Sequence, residues 1–163
     1  YFDNDPTKGK LYNWFAVMGI HDNDENTPNK EFAPEGWHVP TDAEWTTLEN
    51  YLISNGYNYD GTTSGNKIAK AMASTTGWTS STIDGAIGNN QSLNNRTGFN
   101  AIPEGYRAGI GSFTGEGPIT IFWSSTQNST NNAWGRYMNN SYIELNRSNY
   151  NKQLGVSVRF VRD

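Results

Sequence analysis

The sequence contains no cysteine among its 163 residues. This absence excludes disulfide bonds, thiol catalysis and metal sites that use thiolate ligands. The chain has no apolar stretch long enough to span a bilayer, so we expect no direct membrane insertion by this segment. Runs of Lys or Arg are also missing and the formal net charge is −4, which argues against nucleic-acid binding.

Aliphatic residues are also scarce, but aromatic residues partly replace them. Hydrophobic residues make up 34% of the chain, and six Trp, nine Tyr and seven Phe bury a large area per residue. A chain of this length without a visible repeat or linker is expected to form a single domain over residues 1–163. No signal peptide is present at Tyr1, and the chain starts without Met, so we expect a mature or excised domain of a larger surface or phage protein.

The clearest local signal is a helix start at residues 41–44, Thr-Asp-Ala-Glu. In such a capping box the Thr hydroxyl accepts from the third helical N–H and the Glu side chain reaches back. Trp45, Leu48 and Leu52 follow at helical spacing. A second, shorter helix is predicted over residues 67–74, and both helices are expected to pack on a sheet.

Strand signals lie near both ends of the chain. Residues 11–17 form an aromatic, β-favouring run and are predicted to be an N-terminal strand. Residues 99–107 are predicted to be a short strand that enters a turn, and residues 156–162 alternate as a strand does. The order of strand, two helices and further strands predicts an α+β domain.

Two polar stretches are predicted to be loops. Residues 75–95 are rich in Gly, Ser, Thr and Asn and lack periodicity, so we expect a long surface excursion anchored by Trp78 and Ile87. Residues 109–118 are predicted to be a flexible loop. The domain is therefore expected to be rich in loops.

An acidic segment begins with the spacing of a calcium loop at Asp22, Asp24 and Asn26. The sixth position of such a loop would be Thr27 instead of Gly, and the twelfth would be Ala33 instead of Glu. This pattern favours a solvated turn. We expect neither a metal nor another cofactor.

Several sequence blocks in order resemble one family. The blocks are Leu-Tyr-Asn-Trp-Phe-Ala-Val at 11–17, Gly-Trp-His-Val-Pro-Thr at 36–41, Glu-Trp at 44–45, Gly-Phe-Asn-Ala-Ile-Pro at 98–103, Gly-Tyr-Arg at 105–107, Phe-Trp-Ser-Ser-Thr at 122–126, Asn-Ala-Trp at 132–134 and Val-Arg-Phe-Val-Arg-Asp at 158–163. Together they resemble the Fibrobacter succinogenes major paralogous domain, which occurs in surface and secreted proteins of Bacteroidetes. The resemblance covers nearly the whole chain.

The resemblance implies a C-type-lectin-like fold, in which the N- and C-terminal strands pair and two helices flank small antiparallel sheets. Formylglycine-generating enzymes share this fold but depend on cysteines, which the chain lacks. Calcium-dependent sugar binding uses Glu-Pro-Asn or Gln-Pro-Asp and Trp-Asn-Asp motifs, and here Trp134 is followed by Gly135 and Arg136. Calcium-independent carbohydrate binding stays open.

A third branch of the fold contains variable proteins that are diversified by retroelements near the C-terminus. Diversification there acts on adenines and therefore favours Asn codons, and residues 128–151 are crowded with Asn, Ser and Tyr. This composition resembles that of antibody paratopes, in which Tyr gives rigid contacts and Asn, Ser and Gly give adaptable hydrogen bonds. The predicted ligand-binding residues are Gly135, Tyr137, Asn139, Asn140, Tyr142, Glu144, Asn146, Ser148, Asn149, Tyr150 and Asn151.

The sequence therefore predicts a non-enzymatic recognition domain with its binding surface near the C-terminus. The expected ligand is a protein or glycan on a cell surface, and the expected location is extracellular or on the cell surface, alternatively on a phage virion as a receptor-binding protein. One alternative is a structural module of a bacterial surface protein. Another is an enzyme, but nothing places two of the carboxylates Glu104, Glu116 and Glu144 at glycosidase spacing.

Overall fold

The computed structural model describes residues 9–22, 24 and 26–163, and the described part is a mixed α+β structure with more strand than helix. Its helices are α1 (Trp14–Val17), α2 (Asp42–Ser54) and α3 (Ala69–Met72), with a 3-10 turn at Gln91–Leu93. Its strands are β1 (Trp37–His38), β2 (Glu104–Arg107), β3 (Phe113–Glu116), β4 (Ile119–Gln127), β5 (Asn132–Asn139), β6 (Asn146–Asn151) and β7 (Val161–Arg162). The strands form a five-stranded sheet in the order β3-β2-β4-β5-β6 and a two-stranded sheet of β1 and β7.

Helix α2 confirms the capping box that the sequence predicts. The Thr41 hydroxyl accepts from the Glu44 amide at 3.2 Å, and the Glu44 carboxylate accepts from the Thr41 amide at 2.8 Å. Gly56 follows the helix with a φ of 72°, a left-handed conformation that glycine adopts without steric cost. Trp45 and Leu52 are buried beneath the helix, as their spacing predicts.

The prediction of a strand at residues 11–17 is wrong. Only Tyr12 forms a β-bridge, with Val156, and helix α1 starts two residues later. The Asn13 side chain accepts from the Ala16 amide at 2.8 Å and so caps this helix, which outweighs the strand preference of the aromatic residues. The bridge between Tyr12 and Val156 is the pairing that joins the N- and C-terminal segments.

Other predicted boundaries shift or change type. The predicted helix at 67–74 is only the four residues of α3. Of the predicted strand at 99–107, only β2 (Glu104–Arg107) is a strand. Of the predicted strand at 156–162, only β7 is a strand. Residues 109–118 are not a loop throughout, because β3 pairs with β2 as an antiparallel hairpin.

Strand β4 lies in the middle of the larger sheet, and its alternating side chains separate two cores. Phe122 packs in the first core with Trp45 and Met138, beneath α2. Ile121 and Trp123 pack in the second core, on the side of α1. The predicted anchors of the long excursion, Trp78 and Ile87, are both buried in the first core, which confirms their role.

The His38 side chain connects β1 to helix α2 and to Asp163. Its Nε2 lies 2.8 Å from Glu44 Oε1 and its Nδ1 lies 2.6 Å from Asp163 Oδ1. Hydrogen bonds to Asp163 and Glu44 raise the pKa of His38 above its ordinary value of 6.5. Protonated His38 thus ties β1 and β7 to the start of α2.

We expect this His38 contribution to stability to depend on pH. Because the folded state raises the pKa of His38, the stabilisation is fully present below the unfolded pKa of 6.5 and is lost as pH rises through the folded-state pKa. Melting temperatures measured from about pH 6 to about pH 9 are expected to fall more for the wild type than for His38→Gln. The His38→Gln variant keeps His21, so parallel curves for the two proteins would contradict the assignment.

Candidate functional site

The hairpin of β5 and β6 brings most of the predicted binding residues to one face of the sheet. Tyr137 on β5 pairs with Asn146 on β6, and Gly135 pairs with Ser148. Since side chains two residues apart share a face of a strand, these positions lie together with Asn139. The opposite face of β5 carries Arg136 and Met138, which are buried toward α2.

Four tyrosines line this side of the sheet, and we call Tyr106, Tyr137, Tyr142 and Tyr150 the tyrosine face. The rings of Tyr137 and Tyr142 meet edge to face with centroids 6.1 Å apart. The Tyr137 hydroxyl accepts from the Asn139 side-chain amide at 2.8 Å. Tyr106, Tyr137 and Tyr150 are half-buried at the rim of the second core, whereas Tyr142 is 46% exposed.

Tyr150 depends on the absence of a side chain at Gly135. A Cβ at position 135 would lie 3.2 Å from the Tyr150 ring and 2.8 Å from the Phe122 carbonyl oxygen. Tyr150 also packs edge to face on Trp123 at a centroid distance of 6.3 Å. Gly135 and Tyr150 therefore belong to the framework of the face as much as to its surface.

The tyrosine face carries no formal charge at neutral pH. Burial raises the pKa of Tyr150 to about 12, and burial also raises the pKa of Tyr137, so both hydroxyls stay protonated. The neighbouring Asn139, Asn146 and Ser148 are neutral as well. This face offers hydrogen-bond donors and acceptors beside apolar rings.

Three predicted residues lie apart from the tyrosine face, and a fourth, Glu144, contacts the neighbouring Asn146 through its backbone. Asn140 is only 9% exposed, and its backbone carbonyl accepts from the Gly88 amide at 2.7 Å, so it belongs to the framework. Asn149 and Asn151 lie on the opposite face of β6, where Asn149 accepts from the Asn132 side chain. Glu144 precedes β6, and its backbone carbonyl accepts from the Asn146 side chain.

The opposite face of the hairpin is charged. The Arg147 guanidinium stacks over the Trp134 ring at 3.4 Å and donates to both carboxylate oxygens of Asp42. Arg136 also donates to Asp42, at 2.7 Å. Both arginines therefore form ion pairs within the framework.

Sequence reasoning missed Tyr106 as a member of the face. It lies on β2, far along the chain from the C-terminal segment, and β2 reaches the face because it pairs in parallel with β4. The block Gly-Tyr-Arg at 105–107 marks a structured position but does not indicate which face the ring occupies. Three-dimensional pairing alone places Tyr106 beside Tyr137.

The comparisons with known proteins identify the domain. The sequence model of the Fibrobacter succinogenes major domain matches residues 2–162. The chain belongs to the Fibrobacter succinogenes major domain family. Searches of curated proteins and of solved structures returned no match.

The family match spans both the scaffold and the tyrosine face of this Fibrobacter succinogenes major domain. Across residues 9–22, 24 and 26–163, no three His, Asp or Glu side chains are placed to hold a metal ion. Asp22 and Asp24 instead accept from backbone amides two residues later, at 2.9 Å each. No helix in the described part of the domain is long and apolar enough to cross a membrane.

Proposed function

We propose that the domain is a non-enzymatic recognition module that binds its ligand on the tyrosine face. The observation that carries the proposal is the convergence of Tyr106, Tyr137, Tyr142 and Tyr150 on one uncharged side of the sheet. Tyrosine is one of the residue types enriched at protein–protein interfaces. Tyr142 is the most exposed ring of the four and is the expected centre of contact.

The chemistry of the face suits a neutral or weakly charged ligand. Tyrosine rings give rigid, amphipathic contact area at low entropic cost, and the amides of Asn139 and Asn146 adapt their hydrogen bonds to the partner. Because β5 and β6 fix the backbone, side chains at these positions can change without moving the scaffold. The proposed ligand is a protein or glycan on a cell surface, bound by a protein displayed outside the cell or on a phage virion.

Two finer proposals concern the fold and its variation. The large sheet, the capped helix α2 and the bridge between Tyr12 and Val156 support a C-type-lectin-like fold. The Asn, Ser and Tyr content of residues 128–151 supports diversification by a retroelement. Sequencing the locus across a population tests the second proposal, since scatter of substitutions over the whole chain would oppose it.

The binding test compares two exposed tyrosines. The wild-type domain is applied to an array of neutral oligosaccharides and an array of purified bacterial surface proteins, and affinity is measured for each hit. Tyr142→Ala is expected to weaken binding about 30-fold, the effect of losing about 2 kcal/mol at an interface hot spot. Its free energy of unfolding is expected to fall by no more than about 1.5 kcal/mol, from loss of the contact with Tyr137.

Tyr51→Ala is the matched control, because Tyr51 is 60% exposed on α2 and not part of the tyrosine face. We expect this variant to bind as the wild type does. Equal weakening by both substitutions, or full binding by Tyr142→Ala, would contradict the proposed surface. Binding only by one array would decide between a glycan and a protein ligand.

A further inference from the structure

The buried ammonium group of Lys70 is surrounded by the long loop between α3 and β2. Lys70 is 7% exposed, and its Nζ donates to the Asn94 side-chain oxygen at 2.8 Å and to the Asn90 carbonyl at 3.1 Å. The carbonyl oxygen of Asn89 also contacts Nζ, and that of Ala86 lies 3.5 Å away. One charged group thus gathers four oxygen atoms from a short stretch of loop.

The composition of this cage is that of a cation site. Carbonyl and amide oxygens are ligands that proteins offer to hard metal ions, and here the protein's own ammonium fills the position. Burying an ammonium is unfavourable unless hydrogen bonds compensate, and burial lowers the pKa of Lys70. Asp84 is the carboxylate that acts on Lys70 electrostatically, while all four contacting oxygens are neutral.

Hydrogen bonds connect this cage to the tyrosine face. The Asn94 side chain, which accepts from Lys70, donates to the Ile87 carbonyl at 3.2 Å. The Ile87 amide donates to the Tyr142 carbonyl at 3.3 Å, and the Gly88 amide donates to the Asn140 carbonyl at 2.7 Å. The caged loop is therefore attached directly to the turn that presents Tyr142.

We propose that Lys70 is a positioning residue for the tyrosine face, whose ammonium serves the loop as a built-in substitute for a bound metal ion. The cage fixes residues 86–94, and the loop fixes the turn of Asn140 and Tyr142. The consequence for ligand binding rests on the proposed function, but the coupling of loop and turn does not. The geometry of the turn is then independent of calcium and of chelators.

Hydrogen exchange of backbone amides tests the coupling without a ligand. In Lys70→Met, which keeps all but the last atom of the side-chain length and removes its charge, the amides of Ile87 and Gly88 are expected to exchange at least roughly tenfold faster than in the wild type. The Tyr142 amide, which donates to the Asn139 carbonyl, is expected to follow them. EDTA is expected to change none of the wild-type rates.

Lys152→Met is the matched control. Lys152 is also buried, but its Nζ donates to the Gln127 side chain and the Thr130 carbonyl, both at 3.0 Å, in a different loop. We expect this variant to leave exchange at Ile87 and Gly88 unchanged. Wild-type rates in Lys70→Met, or equal acceleration in both variants, would overturn the proposal.

A rescue experiment covers the case in which Lys70→Met folds poorly. Lys70→Ala opens the cage, and added propylammonium is expected to restore slow exchange at Gly88, whereas propanol of similar size is not. Equal restoration by both compounds would show that only volume matters and would overturn the role of the charge. The two proposals fail separately: if Tyr142→Ala binds normally, the tyrosine face is refuted while the exchange results for Lys70 stand.

Discussion

Replacing Arg136 with methionine is expected to lower the free energy of unfolding by about 3–5 kcal/mol, measured by urea denaturation. The Arg136 side chain is fully buried and pairs with Asp42 at 2.7 Å and with Glu49. Its Nη2 also donates to the Thr46 hydroxyl at 3.2 Å. The methionine side chain fills similar space but leaves two mostly buried carboxylates without their shared partner.

The carboxylate of Asp42 explains why the loss is large. Burial acts to raise the pKa of Asp42, but hydrogen bonds from Arg147 and Arg136 outweigh it and lower the pKa below its ordinary value. This stabilisation is present above the unfolded pKa of Asp42 and is lost as pH falls through the folded-state pKa. Removal of Arg136 takes away one of the two hydrogen-bonding partners that keep Asp42 ionised.

Arg147→Met is the control, because Arg147 binds the same carboxylate from the surface. Its side chain is 43% exposed, so solvent screens the ion pair, and loss of the pair together with the stacking on Trp134 is expected to cost about 1–2 kcal/mol. Equal losses for the two variants would mean that burial does not set the strength of these pairs. A loss below about 1 kcal/mol for Arg136→Met would contradict the expected role of the buried pair.

Features that depend on neighbouring residues could be predicted from the sequence. The capping box at Thr41 and Glu44 acts within one helical turn, and it forms as predicted. Trp78 and Ile87 are apolar residues within a polar stretch, and both are buried as predicted. The capping partners are three positions apart in the sequence. The two apolar residues differ visibly from their polar neighbours.

Features that depend on distant pairing could not be predicted. Helix α1 forms where an aromatic run favours a strand, because Asn13 caps it and Trp14 binds the Ser124 carbonyl at 3.0 Å through its indole N–H. The Gly-rich composition around β3 predicts a loop, but hydrogen bonding to β2 makes the segment a strand. Lys70 shows no sequence signal at all, because the oxygens around it come from residues 16 to 24 positions away.

The candidate site was predictable in composition but only partly in geometry. Side chains alternate between the two faces of β5 and β6, which places Tyr137 and Ser148 on one face and Asn149 on the other. The sequence alone does not give the register of the two strands, on which this assignment depends. Asn140 has the same residue type as the surface amides, yet its backbone bonds to Gly88 and Pro118 bury it. Composition alone does not distinguish an amide of the framework from one that faces a ligand.

The second large effect is expected at Trp123, in the second core. Trp123→Ala is expected to lower the free energy of unfolding by about 3–5 kcal/mol, the usual cost of removing a large buried aromatic side chain. The indole is fully buried, and its Nε1 donates to the Tyr12 carbonyl at 2.9 Å. Since domains of this size are stable by only about 5–15 kcal/mol, the variant would lose a large share of its stability.

Trp123→Phe separates the two contributions of this side chain. It keeps an aromatic ring but removes the indole N–H group, so the Tyr12 carbonyl keeps only the Val156 amide as its donor. The loss is expected to be about 1–3 kcal/mol, from one hydrogen bond and the smaller ring. Trp37→Ala is the control for removal of an indole from the surface, because Trp37 is 45% exposed, and its cost is expected to stay near 0.5 kcal/mol. Urea denaturation followed by far-UV circular dichroism measures all three variants, and equal costs for Trp123→Ala and Trp37→Ala would contradict the prediction.

Trp123 also links stability to the tyrosine face. Its ring supports Tyr150, and its carbonyl accepts from the Trp45 indole at 3.3 Å, so one residue joins the face to helix α2. In Trp123→Ala, exchange of the Tyr150 amide is therefore expected to accelerate beyond the change that the lower global stability explains. Tyr142 lies in a separate turn that is hydrogen-bonded to the long loop, so its amide is expected to accelerate only as much as the lower global stability explains. Equal excess acceleration at both amides would contradict this division of the framework.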